Sequence, residues 1–217
     1  MPIPNEQTVT TIETADEFAF YDTSDVLHPR TNHITAFNAA ASFKSLAGLN
    51  DPLRPTGAIR MTMQRTNTIA NVASLTSGQL YLVGINLIAG DVVTSITFMS
   101  GTQAAVTPTA QLFGLYSSAR ALRATSADAT SAAWAANSIK TLAMVTPYTI
   151  TTTGLHYIGL SVVAGTVPSL LVQSVNALVS ALVPIHAGTS DGSLTTTLPA
   201  TATAITAATS VPFAYVS

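Results

Sequence analysis

Alternating apolar and polar residues mark most of the chain from residue 58 onward. Short segments rich in Val, Ile, Thr, Tyr and Phe are separated by turn signals such as AGD, SGT and AGTVP. Segments of this kind are typical of half-buried strands. The pattern predicts strands over residues 58–64, 79–89, 92–100, 110–117, 122–126, 139–144, 154–164 and 211–216. A run of short strands without helical interludes favours a mainly β fold, an antiparallel jelly-roll-like β-sandwich.

The segment 167–188 departs from this alternation. Leu171, Val175, Leu178 and Leu182 recur every three or four residues, a spacing that would form one apolar helix stripe. The β-branched content favours two strands or a buried loop equally well, so both interpretations stay open. The segment approaches membrane-spanning length, but its polar residues, its prolines and the lack of flanking positive charge argue against a transmembrane helix.

The late run 193–210 (SLTTTLPATATAITAATS) is a low-complexity stretch of Thr and Ala. Its composition gives no clear helical or strand period. We expect either an extended surface segment or a strand that only its neighbours stabilise.

The N-terminal part has a different pattern. Residues 17–22 (EFAFYD) alternate, with Phe18 and Phe20 on one side, and NHIT supplies a short returning strand after the turn sequence TSDVLHPR. Residues 35–46 predict a short helix capped by Thr35. Two prolines and a glycine in residues 49–57 predict a linker. We therefore expect two domains: an N-terminal attachment and oligomerisation region with its linker, residues 1–56, and the β-sandwich, residues 57–217.

Charge is scarce and unevenly distributed. Only 8% of the residues are charged, and seven of the ten acidic residues lie in residues 1–66. Soluble monomers usually carry more surface charge, so this composition predicts that copies of the chain or a partner cover much of the surface. A formal net charge of −2 indicates neither nucleic acid nor a membrane as partner.

Further observations narrow the chemistry. The chain has no cysteine, which excludes thiolate catalysis and zinc–thiolate sites. The N-terminus lacks a basic start followed by an apolar run, so we expect no signal peptide and synthesis in the cytoplasm.

Acids and histidines cluster in residues 16–33 and raise the question of a metal site. Asp22, Asp25, His28 and His33 have ligand chemistry, but their spacing fits no compact motif and most lie in turn sequence. Asp128 and Asp191 could contribute to a calcium site in a loop, although a solvated turn explains them as well.

Catalytic motifs give no stronger signal. The chain has neither a GxSxG elbow nor a phosphate-binding glycine loop, and its three late acids lie in turn sequences. We therefore expect no enzymatic activity, no catalytic residues, no cofactor and no metal.

Carbohydrate binding is the ligand class that the aromatic residues allow. Sandwich domains often bind sugars through exposed rings, and Trp134 lies in a predicted loop with Tyr116 and Tyr148 as companions. The alternative is that Trp134 fills one end of the sandwich. Arg120 and Arg123 flank a predicted hairpin turn, either as a solvated tip or as a partner contact.

Residues 16–43 (DEFAFYDTSDVLHPRTNHITAFNAAASF) resemble a segment common near the N-termini of tailed-bacteriophage fibre and other virion-surface proteins. The matching positions are Phe18, Phe20, Tyr21, Asp22, Ser24, Ile34, Thr35 and residues 37–43. The family usually has a Lys/Arg pair before the Ile-Thr, whereas this chain keeps only Arg30. Within the segment, apolar positions suit packing against a hairpin or another copy, and we expect attachment or oligomer contacts at Phe18, Phe20, Ile34, Phe37 and Phe43.

A second stretch, residues 78–165, looks like a β-sandwich of minor structural proteins from phages that infect actinobacteria. Together the two resemblances cover about half of the chain. They imply a homotrimer on the virion surface, attached to other virion proteins such as major capsid or tail proteins. The chain is then expected to be a structural protein, either a capsid decoration or head fibre, or a minor tail or tail-fibre protein that binds a host surface glycan.

Overall fold

A computed structural model describes the strands 17–21 and 31–35, and then residues 54–68, 70–71, 75–130 and 132–217. The chain divides into two compact units, Met1–Asn50 and Asp51–Ser217. The predicted domain boundary at residues 56 and 57 lies a few residues beyond this division.

The first unit contains the predicted hairpin. Strand β1 (Glu17–Tyr21) pairs antiparallel with β2 (Thr31–Thr35), and the register sets Phe18 opposite Ile34 and Phe20 opposite Asn32. The predicted helix over residues 35–46 lies outside the described residues, as does the first part of the predicted linker.

The second unit is built from short and long strands. Their bounds are β3 Arg60–Met61, β4 Ala70–Asn71, β5 Leu80–Leu87, β6 Val92–Met99, β7 Val106–Ser117, β8 Leu122–Thr125, β9 Ile139–Thr149, β10 Gly154–Thr166, β11 Leu171–Ser174, β12 Ala187–Thr189, β13 Thr206–Ala207, β14 Ser210–Pro212 and β15 Ala214–Val216. A 3-10 turn covers Arg65–Asn67, and one short helix, α1, covers Ala177–Ser180.

The strands form two main antiparallel sheets. One has six strands in the order β13-β12-β5-β10-β7-β8, and the other has four in the order β3-β15-β6-β9. The chain changes sheet between β5 and β6, between β6 and β7, and again on either side of β9. Two antiparallel sheets between which the chain passes repeatedly confirm the predicted mainly β sandwich. A small third sheet, β14-β11-β4, completes the unit.

The core lies between the two main sheets. Inward-facing residues of both sheets belong to one buried cluster, in which aromatic rings meet edge to face. The Phe98 and Phe113 ring centroids are 5.0 Å apart, and those of Phe113 and Trp134 are 5.8 Å apart. Trp134 is only 1% exposed, so the sole tryptophan fills the core, as the alternative interpretation expected.

The ambiguous segment contains both predicted kinds of structure. Leu171–Ser174 is a strand, and Ala177–Ser180 forms one helical turn capped by the Asn176 side chain, which accepts a hydrogen bond from the Leu178 N–H at 2.8 Å. Among the residues described, no helix has the length and apolar character that crossing a membrane requires.

The late Thr/Ala run covers the outer face of the six-stranded sheet. This covering segment (residues 190–206) places Leu194, Leu198, Ala202 and Ile205 on a second apolar cluster that includes Leu80 of the sheet. Backbone hydrogen bonds hold it to β5 at its start and to the β7–β8 hairpin farther along, for example from the Leu122 N–H to the Ala200 carbonyl oxygen at 2.9 Å. The prediction of an extended surface segment is therefore the better description.

Glycines in the sheet leave room for the covering segment. A Cβ at Gly114 would lie 2.6 Å from Cδ1 of Leu198, and a Cβ at Gly188 would overlap the carbonyl oxygen of Thr206. The backbone contact at Gly188 leaves no room for a side chain, whereas a Cβ at Gly114 would require only the end of the flexible Leu198 side chain to move.

The outer face of the four-stranded sheet has no such cover among the described residues. Cross-strand pairs on β6 and β9 define this open face: Met99 with Ile139, Thr97 with Thr141, and Ser95 with Ala143, followed by Val145. Ile139 and Val145 are 60% and 66% exposed, whereas Lys140 and Met144, on the opposite side of β9, are buried. The open face therefore carries neutral polar and apolar residues without charge.

Candidate functional site

A cleft of about 360 Å³ opens at one end of the sandwich. Three turns or strand ends contribute to it: the start of the β7–β8 hairpin, the end of β9, and the β9–β10 turn. The lining residues are Ser117, Ser118, Ala119, Arg123, Tyr148, Thr151, Thr152, Thr153, Gly154, Leu155 and His156. The cleft is thus polar, with hydroxyl groups, one guanidinium, one imidazole and one phenol.

The cleft arises because the edge strands of the two sheets separate. An isolated antiparallel bridge joins Ser126, at the end of β8, to Met144 of β9. If this pairing continued, Arg123 would come opposite Pro147, but no further bridge is formed. Pro147 has no N–H to donate, so it favours an unpaired edge at this point. Arg123 and Tyr148 therefore lie on strands that flank the opening.

His156 lines the cleft from the beginning of β10. In the six-stranded sheet it is paired with Ser117 of β7, which sets both residues at the same level. The residue is 9% exposed, and its Nδ1 lies 3.1 Å from the Gly154 carbonyl oxygen. With Nδ1 donating to this carbonyl, Nε2 is the imidazole nitrogen left to interact with a ligand.

The cleft has a positive bias. Arg123 is exposed, and the residues that line the cleft include no Asp or Glu. Thr153 uses its hydroxyl to accept a hydrogen bond from the Ala89 N–H at 3.0 Å, which fixes the β9–β10 turn to the β5–β6 turn. Thr151 and Thr152 are exposed beside it. The cleft therefore offers hydrogen-bond donors to an anion, and these donors lie on turns and strand ends that are fixed in place.

Two of the three predicted glycan contacts do not reach this surface. Trp134 and Tyr116 are 1% and 0% exposed. The expectation of exposed rings at these positions is corrected, because Trp134 packs on Phe113 and Tyr116 lies under the covering segment. Burial raises the pKa of the Tyr116 hydroxyl, with a further increase from Asp191, and this hydroxyl donates to the Pro199 carbonyl oxygen at 3.2 Å.

Tyr148 is the one predicted glycan contact that lines the cleft. It is half-buried, packing against the main core while contributing to the cleft wall. The reasoning from sequence missed its polar neighbours Ser117, His156 and Thr151–Thr153. The run TTTG between two strands was the available signal, since it predicts a turn with several hydroxyl groups.

The predicted basic pair has two different roles. Arg120 has a positive φ of 64° in the β7–β8 turn, and its Nε donates to the Ala202 carbonyl oxygen at 3.2 Å, so it holds the covering segment. Arg123 instead lines the cleft. Of the predicted attachment contacts, Phe18, Phe20 and Ile34 lie in the β1–β2 hairpin, while Phe37 and Phe43 lie outside the described residues.

The late aspartates act within their own turns. Burial raises the pKa of Asp128, but hydrogen bonds from the Gln111 N–H and from Thr130 outweigh burial and hold this pKa below its usual value. Asp191 behaves in the same way, through Thr203 and Ser190. Within the described ranges, no three His, Asp or Glu residues come together as metal ligands. Asp22, Asp25 and His28 lie outside those ranges.

A second apolar surface protrudes from the sandwich. This apolar loop (residues 176–185) exposes Leu178 by 82% and Val183 by 88%, with Leu182 beside them. Its ends are fixed, since the Val175 N–H donates to the Thr209 carbonyl oxygen at 2.7 Å and the Gly84 N–H donates to that of His186 at 2.6 Å. Exposed aliphatic side chains on a fixed loop are typical of a contact surface.

Comparisons with known proteins leave these surfaces as the basis for a functional assignment. No known protein-family model matches the chain, and a comparison with curated proteins gave no match. The cleft, the open face and the apolar loop are the features that a function has to explain.

Proposed function

We propose that the chain is a non-enzymatic structural protein of a tailed-phage virion, a homotrimer that displays its sandwich on the particle surface as a capsid decoration or head fibre. Residues 1–56 attach it to other virion proteins, with contacts at Phe18, Phe20, Ile34, Phe37 and Phe43. The observation that carries the proposal is the charge-free open face with its exposed aliphatic residues.

Self-association follows from the physical chemistry of this face. Exposure of Ile139 and Val145 to water costs roughly 25 cal/mol per Å² of apolar surface, and a second copy removes that cost without bringing like charges together. Thr141 and Ala143 between them are small, so another backbone can approach closely. Closed cyclic symmetry would also cover the free edge of β9, which limits open-ended association.

Light scattering tests the assembly part of the proposal. The purified full chain should have the mass of a trimer at micromolar concentration, and Val145→Asp should reduce it to a monomer with an unchanged circular dichroism spectrum. Val106→Asp is the matched control, because Val106 is 51% exposed on β7 of the other sheet. A monomeric parent protein, or equal effects of the two variants, would contradict self-association through the open face.

Virion incorporation tests the attachment part. Deleting residues 1–56 should abolish incorporation into particles and leave a folded sandwich, and incorporation at the normal level would contradict the assignment. Copy number per particle distinguishes the locations, since a shell component is present in many more copies than a tail-tip protein.

The cleft favours a second candidate function, that of a minor tail or tail-fibre protein that binds a host surface glycan through the sandwich. Tyr148 offers an aromatic surface beside hydroxyl and guanidinium donors, which is the combination that sugar recognition uses. A glycan array with the intact protein tests this candidate. Absence of binding to any glycan would leave the decoration role as the sole proposal.

A further inference from the structure

We infer that the cleft binds a carboxylated sugar unit, with Arg123 as the carboxylate partner. This inference rests on the second candidate function and makes it more specific, since it names the chemical class of the glycan. It is independent of trimer formation, because every residue of the cleft comes from one sandwich.

Charge selects the class of ligand. Arg123 is the one guanidinium of the cleft, and the lining contains no carboxylate to neutralise it. Arginine presents a planar fork of N–H donors that matches a carboxylate in two parallel hydrogen bonds. A neutral sugar would leave this cation without a complementary charge, whereas a uronic acid would pair with it.

The remaining groups suit the polyhydroxyl ring that carries the carboxylate. The hydroxyls of Ser118, Thr151 and Thr152 both donate and accept, as sugar hydroxyls do. Tyr148 supplies an aromatic surface for the apolar side of a sugar ring, and Nε2 of His156 offers one more polar contact. A bare phosphate or sulfate ion would use the charge but not the aromatic surface.

Size and rigidity agree with a short saccharide. The volume of about 360 Å³ lies near the lower end of the usual range for small-molecule sites, about 300–1,000 Å³. The walls are strand ends that are fixed by the β7–β10 pairing of Ser117 with His156 and by the hydrogen bond from Ala89 to Thr153. A preformed site of this kind loses little conformational entropy when it binds its ligand.

Isothermal titration with defined probes tests the inference. Methyl β-glucuronide and methyl β-glucoside share one ring and differ in the carboxylate, while glucose 6-phosphate and inorganic phosphate separate a sugar-borne anion from a free one. We expect the glucuronide to bind the full chain at least about tenfold more tightly than the glucoside, and its affinity to fall as salt increases. We also expect tighter binding of the glucuronide than of either phosphate.

Single substitutions test which residues of the cleft contact the ligand. Arg123→Gln should weaken glucuronide binding at least about tenfold and bring it to the level of the glucoside, whereas Arg65→Gln, at an exposed arginine outside the cleft, should leave it unchanged. Tyr148→Ala should weaken the glucuronide and the glucoside together. Light scattering on the same samples should show an unchanged mass, which keeps this test separate from the assembly proposal.

Other outcomes overturn the inference. Equal binding of glucuronide and glucoside would reject the carboxylate and retain a glycan site. Stronger binding of inorganic phosphate would identify a simple anion site. Binding of none of the four probes would reject the cleft as a site for carboxylated sugars, while the mass measurement would still decide on assembly.

Discussion

The two outer faces of the sandwich differ in what covers them. The face of the six-stranded sheet is covered by the chain's own covering segment, with Leu194 and Leu198 on a buried cluster around Leu80. The face of the four-stranded sheet leaves Ile139 and Val145 exposed. Both faces are poor in charge, so composition alone does not distinguish them. The chain therefore buries one apolar face by itself, and we propose that another copy of the chain buries the other.

Burial of the covered face is intramolecular and does not depend on protein concentration, whereas the proposed contact between copies on the open face does. An intramolecular cover is always present at the same effective concentration, whereas a partner copy dissociates on dilution. Mutations on the two faces should therefore differ in how their effects respond to dilution.

Leu80→Ala gives the largest expected effect. Leu80 is fully buried between the sheet and the covering segment, so its truncation should lower the free energy of unfolding by about 2–5 kcal/mol. Urea unfolding at several protein concentrations would measure the change. The loss should be the same at every concentration, and a loss that grows on dilution would contradict an intramolecular cover.

Gly188→Ala should have the next largest effect. A Cβ at this position would overlap the Thr206 carbonyl oxygen in the β12–β13 pair, and forcing the strands apart should cost about 1–3 kcal/mol. Gly192→Ala is the matched control, because no heavy atom lies within 4 Å of a Cβ built there. Thermal unfolding of the two variants would compare them, and similar midpoints would contradict a close fit of the cover.

Acid should loosen the covering segment through Asp191. Its carboxylate accepts hydrogen bonds at 2.9 Å from the Thr203 N–H and from the Ser190 hydroxyl. Burial raises the pKa of Asp191, but these hydrogen bonds outweigh burial, so the folded pKa lies below the usual value of 3.8. A carboxyl group whose pKa is lower in the folded state stabilises the fold at pH values above its usual pKa. This stabilisation is lost as pH falls through the pKa of the folded state.

Asp191→Asn tests this pH dependence. The variant should be less stable than the parent by about 1 kcal/mol at neutral pH, because it loses hydrogen bonds to a charged acceptor at a half-buried position. The difference should shrink as pH falls below 3.8. Urea unfolding at neutral and acidic pH measures it, and a difference that stays constant with pH would contradict the role of the carboxylate.

Val145→Ala should have the smallest effect on the sandwich itself. A truncation at an exposed position changes the stability of an isolated chain by less than about 0.5 kcal/mol. The unfolding temperature of the parent protein should instead rise with protein concentration, and the variant should reduce this dependence. Differential scanning calorimetry over a range of concentrations measures it, and a concentration-independent parent would reject a contact between copies on the open face.

The sequence predicted the long strands well, because alternation with a period of two is a local signal. Strands β5, β6 and β10 lie close to the predicted ranges, while β9 continues to Thr149, beyond the predicted end at residue 144. The covering segment carried no such signal. Its fit depends on glycines elsewhere in the chain, such as Gly78, where a Cβ would lie 2.8 Å from the Leu194 carbonyl oxygen, and these contacts become visible only when the sheet is assembled.

The cleft was predictable only in part. Tyr148 was identified as an aromatic candidate, but Ser117 and Arg123 are distant from it in sequence. They line the cleft with it because β8 and β9 separate beyond the Ser126–Met144 bridge. For Trp134, the sequence left two interpretations, an exposed ring in a loop or a ring that fills one end of the sandwich. Its contact with Phe113 and its burial support the second.

The position of Trp134 also makes it an intrinsic fluorescence probe of the protein. It is the sole tryptophan of the chain, and it is shielded from water against an aromatic pair. Its fluorescence therefore reports the hydration of one place, the interior between the two sheets. The proposed ligand site in the cleft and the proposed contact on the open face both lie outside this interior, so a shift of its emission would mark opening of the sandwich rather than either event.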